Sequence, residues 1–453
     1  MARASETTAI GGTHDTDLGT AGAVLDAVGV LRITADRAEA LLLARACDWA
    51  DLHPADDPAD AAWEARPAFD DTRDQTVDEP SYDVPSVRWT AIPEFAARLG
   101  IPTGSGQQLI LESLETRHRL PRLWARVQAG QVQAWRARRI ASRTLHEPAD
   151  VAESVDKEIA SIAQRVGLVT IDRLIDEALL RLHPEEAELR REQAREHRRV
   201  ELHTDGTADG IAHIDITTDT LDALDFDSAV AAIAHRLGEQ GDTDPLDVRR
   251  AKAVGILADP EAALAILTDQ PAQPPADAGQ PAEPERPGRP ARPRKQIVLH
   301  VHLSEAAITG TEPVGRLDTT RTPVLRETIR AWAGRDDINL TVVPVIDLND
   351  DVQVGQYEIP DRIKRRVELT RPTCAHPWCN RTAEHCDKDH VVPYDSGGST
   401  STDNLAPLCR RHHRLKTLTA WDYEILPPAT YLWTSPHGRK YLVDNTGTTD
   451  VTP

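Results

Sequence analysis

The chain has 453 residues, 52 Lys and Arg against 73 Asp and Glu, and a net charge of −21. With 40% apolar and 28% charged residues it can bury a substantial core, and it is neither a collagen, a coiled-coil rod nor a disulfide scaffold. There is no run of about 18 apolar residues, and the greasiest stretch, Ala40 to Ala44, is flanked by Glu39 and Arg45, so the expectation is a soluble, cytoplasmic protein without membrane contact.

Residues 1–20, rich in Gly, Thr and Asp, are expected to be disordered. Val24, Leu25, Val28 and Leu31 keep helical spacing. Thr34 then reads as the N-cap of a second helix, whose stripe of Leu41, Leu42 and Trp49 runs to about residue 52. The acidic, Pro-containing stretch from Pro54 to Pro85 reads as a long surface loop. Helical signals return near residue 93. Leu109, Leu111, Leu114 and Leu120 lead into Pro121, and Gly130 precedes Val132, Trp135 and Ile140. Residues 151–199 add Ile159, Ile162, Val166, Leu174, Ile175, Leu179 and Leu182 at the same period. Val200 and Leu202 face Ile211, Ile214 and Ile216 across Thr204-Asp205-Gly206, which predicts a β-hairpin followed by a helix over about 220–238. These segments form one helical domain, residues 21–268.

Eight prolines between 271 and 294 mark a linker over 269–296. Fully extended, such a polyproline-like stretch spans roughly 70 Å. Residues 297–359 predict a small α/β piece, with strands at 297–303 and 340–348 and a helix near 323–334. His300 and His302 sit two apart on the first strand and read as its polar face rather than a metal pair.

Charge and cysteine point to the last segment, residues 360–445. Residues 361–440 carry 13 Lys and Arg against 9 Asp and Glu, a basic unit on an acidic chain. Four of the 5 cysteines, Cys374, Cys379, Cys386 and Cys409, also fall there, and that clustering reads as metal binding. Cys47, alone in an apolar helix, reads as a small buried residue. Cys374/Cys379 and Cys409/His412 are two chelating pairs, and three thiolates with one imidazole complete a structural zinc site. Cys386, His376 and His385 compete for places in it.

A second group uses what zinc leaves over. Asp389 and His390 are adjacent, so on an extended segment they point to opposite sides. His413 follows His412 on a helix, about 100° further round. An imidazole base with a divalent ion held by Asp389 and His413 suits hydrolysis of a phosphodiester, and Arg410, Arg411, Arg414 and Lys416 supply charge for phosphates.

Asp389-His390-x-x-Pro393, Gly397-Gly398 and Asn404-Leu405-x-x-Leu408-Cys409-x-x-His412-His413-x-x-Lys416 resemble the signature of the HNH endonucleases, the ββα-metal or His-Me finger nucleases. The resemblance covers roughly residues 367–420. It implies that His390 is the general base and that Asn404 fixes the loop and the base geometry. It further implies that Asp389 and His413 bind the catalytic ion, Mg²⁺ or another divalent ion. In the zinc-containing branch two Cys pairs brace the finger; here the first pair is spaced by four residues rather than two, and His412 stands where a fourth Cys is usual. Leu120-Pro121 with the Gly130 segment, and the hairpin around Gly206 and Gly210, resemble the helical domain of unknown function that precedes HNH modules in many proteins of GC-rich bacteria.

The expectation is thus an α+β multidomain chain: a mostly helical N-terminal domain with a β-hairpin, a Pro-rich linker, a small α/β piece and a zinc-braced ββα-metal finger. The finger is expected to fold apart from the helices and to cut DNA. The alternative is a zinc-stabilised nucleic-acid-binding module without catalysis, which needs Cys374, Cys379, Cys409 and His412 but not Asp389, His390, Asn404 or His413. Self-association or a protein partner is expected to use the helical domain.

Overall fold

The computed structural model describes residues 20–55, 60–61, 84–203, 212–268, 301–303, 313–317, 323–333, 352–426 and 429–453. The expected disordered N-terminus, most of the acidic loop, the hairpin turn, the Pro-rich linker, His300 and the strand at 340–348 lie outside these residues. The chain divides into two compact units, one of residues 1–184 with 345–453 and one of residues 185–344. This differs from the expected division at the linker.

The first unit opens on α1, Ala21–Asp51, whose N-cap Thr20 accepts a hydrogen bond from the Ala23 amide. Thr34 starts no second helix. It lies inside α1 and donates its hydroxyl to the Val30 carbonyl at 2.9 Å, which satisfies the side chain without ending the helix. Next come α2 (Ile92–Leu99), α3 (Thr103–His118), α4 (Pro121–Gln128), α5 (Ala134–Thr144), α6 (Ala149–Ile159) and α7 (Leu168–Leu182). Leu43, Leu120, Leu123, Ile140, Val151, Ile159 and Ile175 form their common core. Two buried carboxylates tie these helices together. Asp156 caps α4 through the amides of Arg122 and Leu123, and Glu115 takes both the Arg119 guanidinium and the Thr144 hydroxyl.

The second unit holds α8 (Pro184–Glu196) and the antiparallel hairpin of β1 (Arg199–His203) with β2 (His213–Thr217). The helices α9 (Thr220–Glu239), α10 (Leu246–Leu257) and α11 (Pro260–Leu267) pack around Val230, Ile233, Ala253 and Ala263. Strands β3 (Val301–Leu303), β4 (Val314–Leu317) and β5 (Pro323–Leu325) form an antiparallel sheet that leads into α12 (Arg326–Ala333). The helix expected near 323 starts at Arg326, because residues 323–325 pair with β4.

The first unit resumes with β6 (Gln353–Val354) and α13 (Asp361–Thr370), then β7 (Asp387–His390), β8 (Thr400–Ser401), β9 (Leu405–Leu408) and α14 (Arg410–Leu418). The meander β10 (Asp422–Leu426), β11 (Thr430–Thr434), β12 (Lys440–Asp444) and β13 (Gly447–Asp450) closes the chain. The antiparallel pair β7–β9 followed by α14 is a ββα finger. It has few large apolar residues of its own. Leu408 and Leu415 reach a buried cluster shared with Trp421, just before the meander, with Trp433 of β11 and with Ala46, Ile92, Ile110 and Leu114 of α1–α3. Finger and helices therefore have one core, which the expectation of a separately folding finger did not include. No described helix is long and apolar enough to cross a membrane.

Candidate active site and metal centre

The ligand atoms of Cys374, Cys379, Cys409 and His412 all lie within 4.8 Å of one another. Nδ1 of His412 is 3.2 Å from the Cys409 sulfur and 3.5 Å from that of Cys374, and the Cys409 amide points at the Cys374 sulfur at 3.3 Å. Burial opposes a charge on His412, yet neighbouring Cys409 and Cys379 outweigh it and push the ring up to about 10. Burial and the adjacent thiols hold Cys374 well above the ordinary thiol value, whereas Cys374 and Cys379 hold Cys409 far below it. Three thiols and an imidazole gathered this closely favour a cation in their midst, and this donor set fits a metal ion bound in place of their protons. The three competitors stand outside it. Cys386 donates to the Thr382 carbonyl, His376 donates from Nδ1 to the Pro377 carbonyl, and His385 is exposed on a short turn.

Alternation along β7 sends Asp387 and Asp389 to one side and Lys388 and His390 to the other. Asp389 is buried and faces α14 and the meander. Its Oδ2 accepts from Lys416 and from the Tyr423 hydroxyl, both at 2.7 Å, and its Oδ1 lies 3.3 Å from Nε2 of His413. Nδ1 of His413 meets Asp387 Oδ2 at 2.8 Å. Burial pulls the Asp389 carboxyl up, but hydrogen bonds from His413, Lys416 and Tyr423 prevail and hold it below the usual carboxylate range. The bond to Asp389 in turn raises His413, against its burial and with help from Asp387. His413 and Asp389 thus offer one nitrogen and one oxygen side by side, with the far side of the imidazole held by a second carboxylate. That arrangement fits a hard divalent ion.

His390, on the opposite face, has Nε2 2.9 Å from the Thr400 hydroxyl and stacks its ring on Tyr357 at 5.5 Å. Burial, reinforced by Lys416 and opposed by Asp389, lowers it below the ordinary imidazole value, a shift that favours the uncharged ring. Asn404 clamps the loop that follows. Its Oδ1 accepts from the Val392 amide at 2.9 Å, and its Nδ2 donates to the carbonyls of Val392 and Ser399 at 3.0 and 2.8 Å. Gly398 is needed where this loop folds back, because an added Cβ would lie 1.9 Å from the Val392 carbonyl oxygen.

The family described as a domain of unknown function, DUF222, matches residues 86–339, more than half of the chain. This chain belongs to the DUF222 family. The HNH endonuclease family matches residues 374–418, from Cys374 to the end of α14, so a nuclease-type domain follows the DUF222 region. The uncharacterized protein Rv3776 of Mycobacterium tuberculosis (strain H37Rv) is 29% identical over 78% of this chain and 69% of its own length. A second uncharacterized protein of that strain, Rv2100, is 36% identical over 26% of this chain and 20% of its own. No solved structure matches.

The DUF222 helices change the reading of α14. Arg411 donates to Gln107 of α3 at 2.8 Å, Arg414 lies over the Trp89 ring at 5.8 Å, and Lys416 is held by Asp389 and the His390 carbonyl. All three are half-buried and engaged by partners within the chain, which the expectation of phosphate contacts did not include. Arg410 is the one of the four that is exposed, and it pairs with Asp387 at 3.2 Å. Charge along a helix cannot say which of its sides a partner element covers. Sequence reasoning also missed Asp387, Thr400, Tyr357 and the hydroxyl of Tyr423. Asp387 had a signal, since it sits two before Asp389 on a strand and so on the same face. Thr400 and Tyr357 had none.

Proposed function

We propose that this chain is a metal-dependent endonuclease that hydrolyses phosphodiester bonds in DNA, braced by a structural zinc ion at Cys374, Cys379, Cys409 and His412. The observation that carries the reading is the joint placement of a Thr400-held His390 and the Asp389/His413 pair on the two faces of β7 in a ββα finger. A module that only binds nucleic acid has no use for that set. Thiolate-rich, four-donor sites favour zinc over hard ions. Asp389 and His413 would hold Mg²⁺ or another divalent ion, which when bound supplies positive charge for the scissile phosphate and the leaving oxygen.

The residues of the chain do the rest. Thr400 holds His390 at Nε2, which leaves Nδ1 to take a proton from the attacking water. Asn404 keeps the loop from Val391 to Ser399 in register with β9, so the base stays where the strand places it. Asp387 fixes the orientation of the His413 ring, and Arg410 contacts the DNA backbone. Purified protein incubated with supercoiled plasmid and Mg²⁺ or Mn²⁺ should nick or linearise it, and a chelator of divalent ions should stop the reaction. DNA that binds but stays intact with every divalent ion would leave only the binding module.

A further inference from the structure

Thr103 opens α3, 309 residues before His412, and is buried at 5% exposure. Its hydroxyl oxygen lies 3.0 Å from Nε2 of His412. The other ring nitrogen, Nδ1, is the one that faces the sulfurs of Cys409 and Cys374. A neutral imidazole carries its proton on one nitrogen and offers a lone pair at the other. A ring whose Nε2–H is taken up by an oxygen therefore presents Nδ1 to a metal, with its orientation set by the same bond.

Other contacts hold this geometry in place. His376 stacks on the His412 ring with centroids 3.7 Å apart and planes within 9°, which leaves the ring little room to tilt. One turn along α3, on the same face as Thr103, Gln107 takes the Arg411 guanidinium beside His412. The helix itself is set close against α2, because Gly106 has no side chain: a Cβ there would lie 2.5 Å from the Ala96 Cβ. The residue that reaches His412 is thus delivered by a helix that is set closely against α2 as well as against the finger.

We infer that Thr103 is a positioning residue of the metal centre: it accepts the Nε2–H of His412 and aims Nδ1 at the ion, so the DUF222 helices set the metal affinity of the HNH finger. This rests on the reading of Cys374, Cys379, Cys409 and His412 as a metal centre. It gives the helical region a definite task in the finger's chemistry, one that a tethered but separate domain would not have.

The test uses the full chain loaded with zinc, and its cobalt(II) form for spectroscopy. Thr103→Val keeps the side-chain shape and removes the hydroxyl; Thr103→Ser keeps the hydroxyl; Gln107→Ala disturbs the same helix face without touching His412. Loss of such an outer partner typically weakens metal binding by about 10–100-fold. Competition with a chromogenic chelator should show that loss for Thr103→Val, with Thr103→Ser and Gln107→Ala close to wild type. The cobalt(II) absorption bands should shift in Thr103→Val alone. Equal zinc affinity of Thr103→Val and wild type would overturn the inference, and so would an equal loss in Gln107→Ala, which would make the effect one of packing. Nitrogen NMR of the His412 ring in the wild-type zinc form decides the matter even if Thr103→Val does not fold. A proton on Nε2 supports the inference, and a proton on Nδ1 overturns it. A wild-type chain that binds no zinc would bring down the metal-centre reading itself, an outcome distinct from all of these.

Discussion

Replacing Asn404 with alanine removes three hydrogen bonds at once. The lost partners are the Val392 amide, the Val392 carbonyl and the Ser399 carbonyl, at 2.9, 3.0 and 2.8 Å. At a net value of about 1 kcal/mol each, the loop from Val391 to Ser399 should lose about 3 kcal/mol of its local stability. Asn404 is itself buried, at 8% exposure, so water replaces those bonds poorly. Val391 also pairs its amide with the Asn404 carbonyl, a bond that alanine keeps, so β7 and β9 should stay joined. Hydrogen exchange should rise at Val392 and its neighbours while the amides of β7 and β9 keep their protection. Plasmid cleavage should fall by about 10²-fold, the scale expected when a catalytic group is displaced by roughly an ångström. Zinc content should not change, because none of the four ligands bonds to Asn404. Exchange at Val392 that is unchanged, or cleavage at the wild-type rate, would refute the reasoning.

Stripping zinc with a strong chelator should raise hydrogen exchange in α2 and α3 as well as in the finger, because Ile92, Ile110 and Leu114 share a core with Cys374, Leu408 and Leu415; a loss of protection confined to residues 374–418 would contradict the shared core. His413→Ala should lower the apparent affinity for the divalent ion in cleavage assays, and raising the ion concentration should restore part of the rate; a loss that no concentration restores would remove His413 from the ion site. Burial pushes the Cys47 thiol up to about 11 from 9.0, so the unfolded chain ionises first as pH rises. The contribution of Cys47 to stability should hold below pH 9 and be lost between about 9 and 11, by at most about 3 kcal/mol. Urea unfolding of Cys47→Val should show a shallower decline over that range, and an identical decline would contradict the burial argument.

The finger was legible because its chemistry is local. Cys374/Cys379 and Cys409/His412 are each chelating pairs set by short spacings, and Asp389 and His390 are neighbours whose opposite directions follow from any strand. Likewise the hairpin, the helix at Thr220–Glu239 and the helices after residue 93 announce themselves by periodicity. What the sequence hid depends on distant partners. Arg411 and Arg414 carry the same charge as Arg410, and only the approach of Gln107 and Trp89, some three hundred residues away, half-buries them while Arg410 stays exposed. The shared core escaped notice for the same reason, since no spacing relates Ala46 or Ile110 to Trp421. Thr34 misled at close range: a residue that favours helix starts is also able to satisfy its hydroxyl inside one. The hydroxyl bond from Tyr423 to Asp389 likewise emerges only once the meander is folded onto β7.

Comparison of wild type with His390→Ala tests the central claim most directly, with plasmid cleavage and DNA affinity measured on the same preparations. His390 touches Thr400 and Tyr357 but none of the four residues of the proposed zinc site, so folding and zinc content should match wild type. Loss of a general base typically costs about 10²–10⁴-fold in rate, and cleavage should fall by that much while the affinity for DNA stays within error of wild type. Cleavage by His390→Ala at the wild-type rate would contradict the assignment of the base, and a wild-type protein that binds DNA without cutting it under any divalent ion would contradict the nuclease itself.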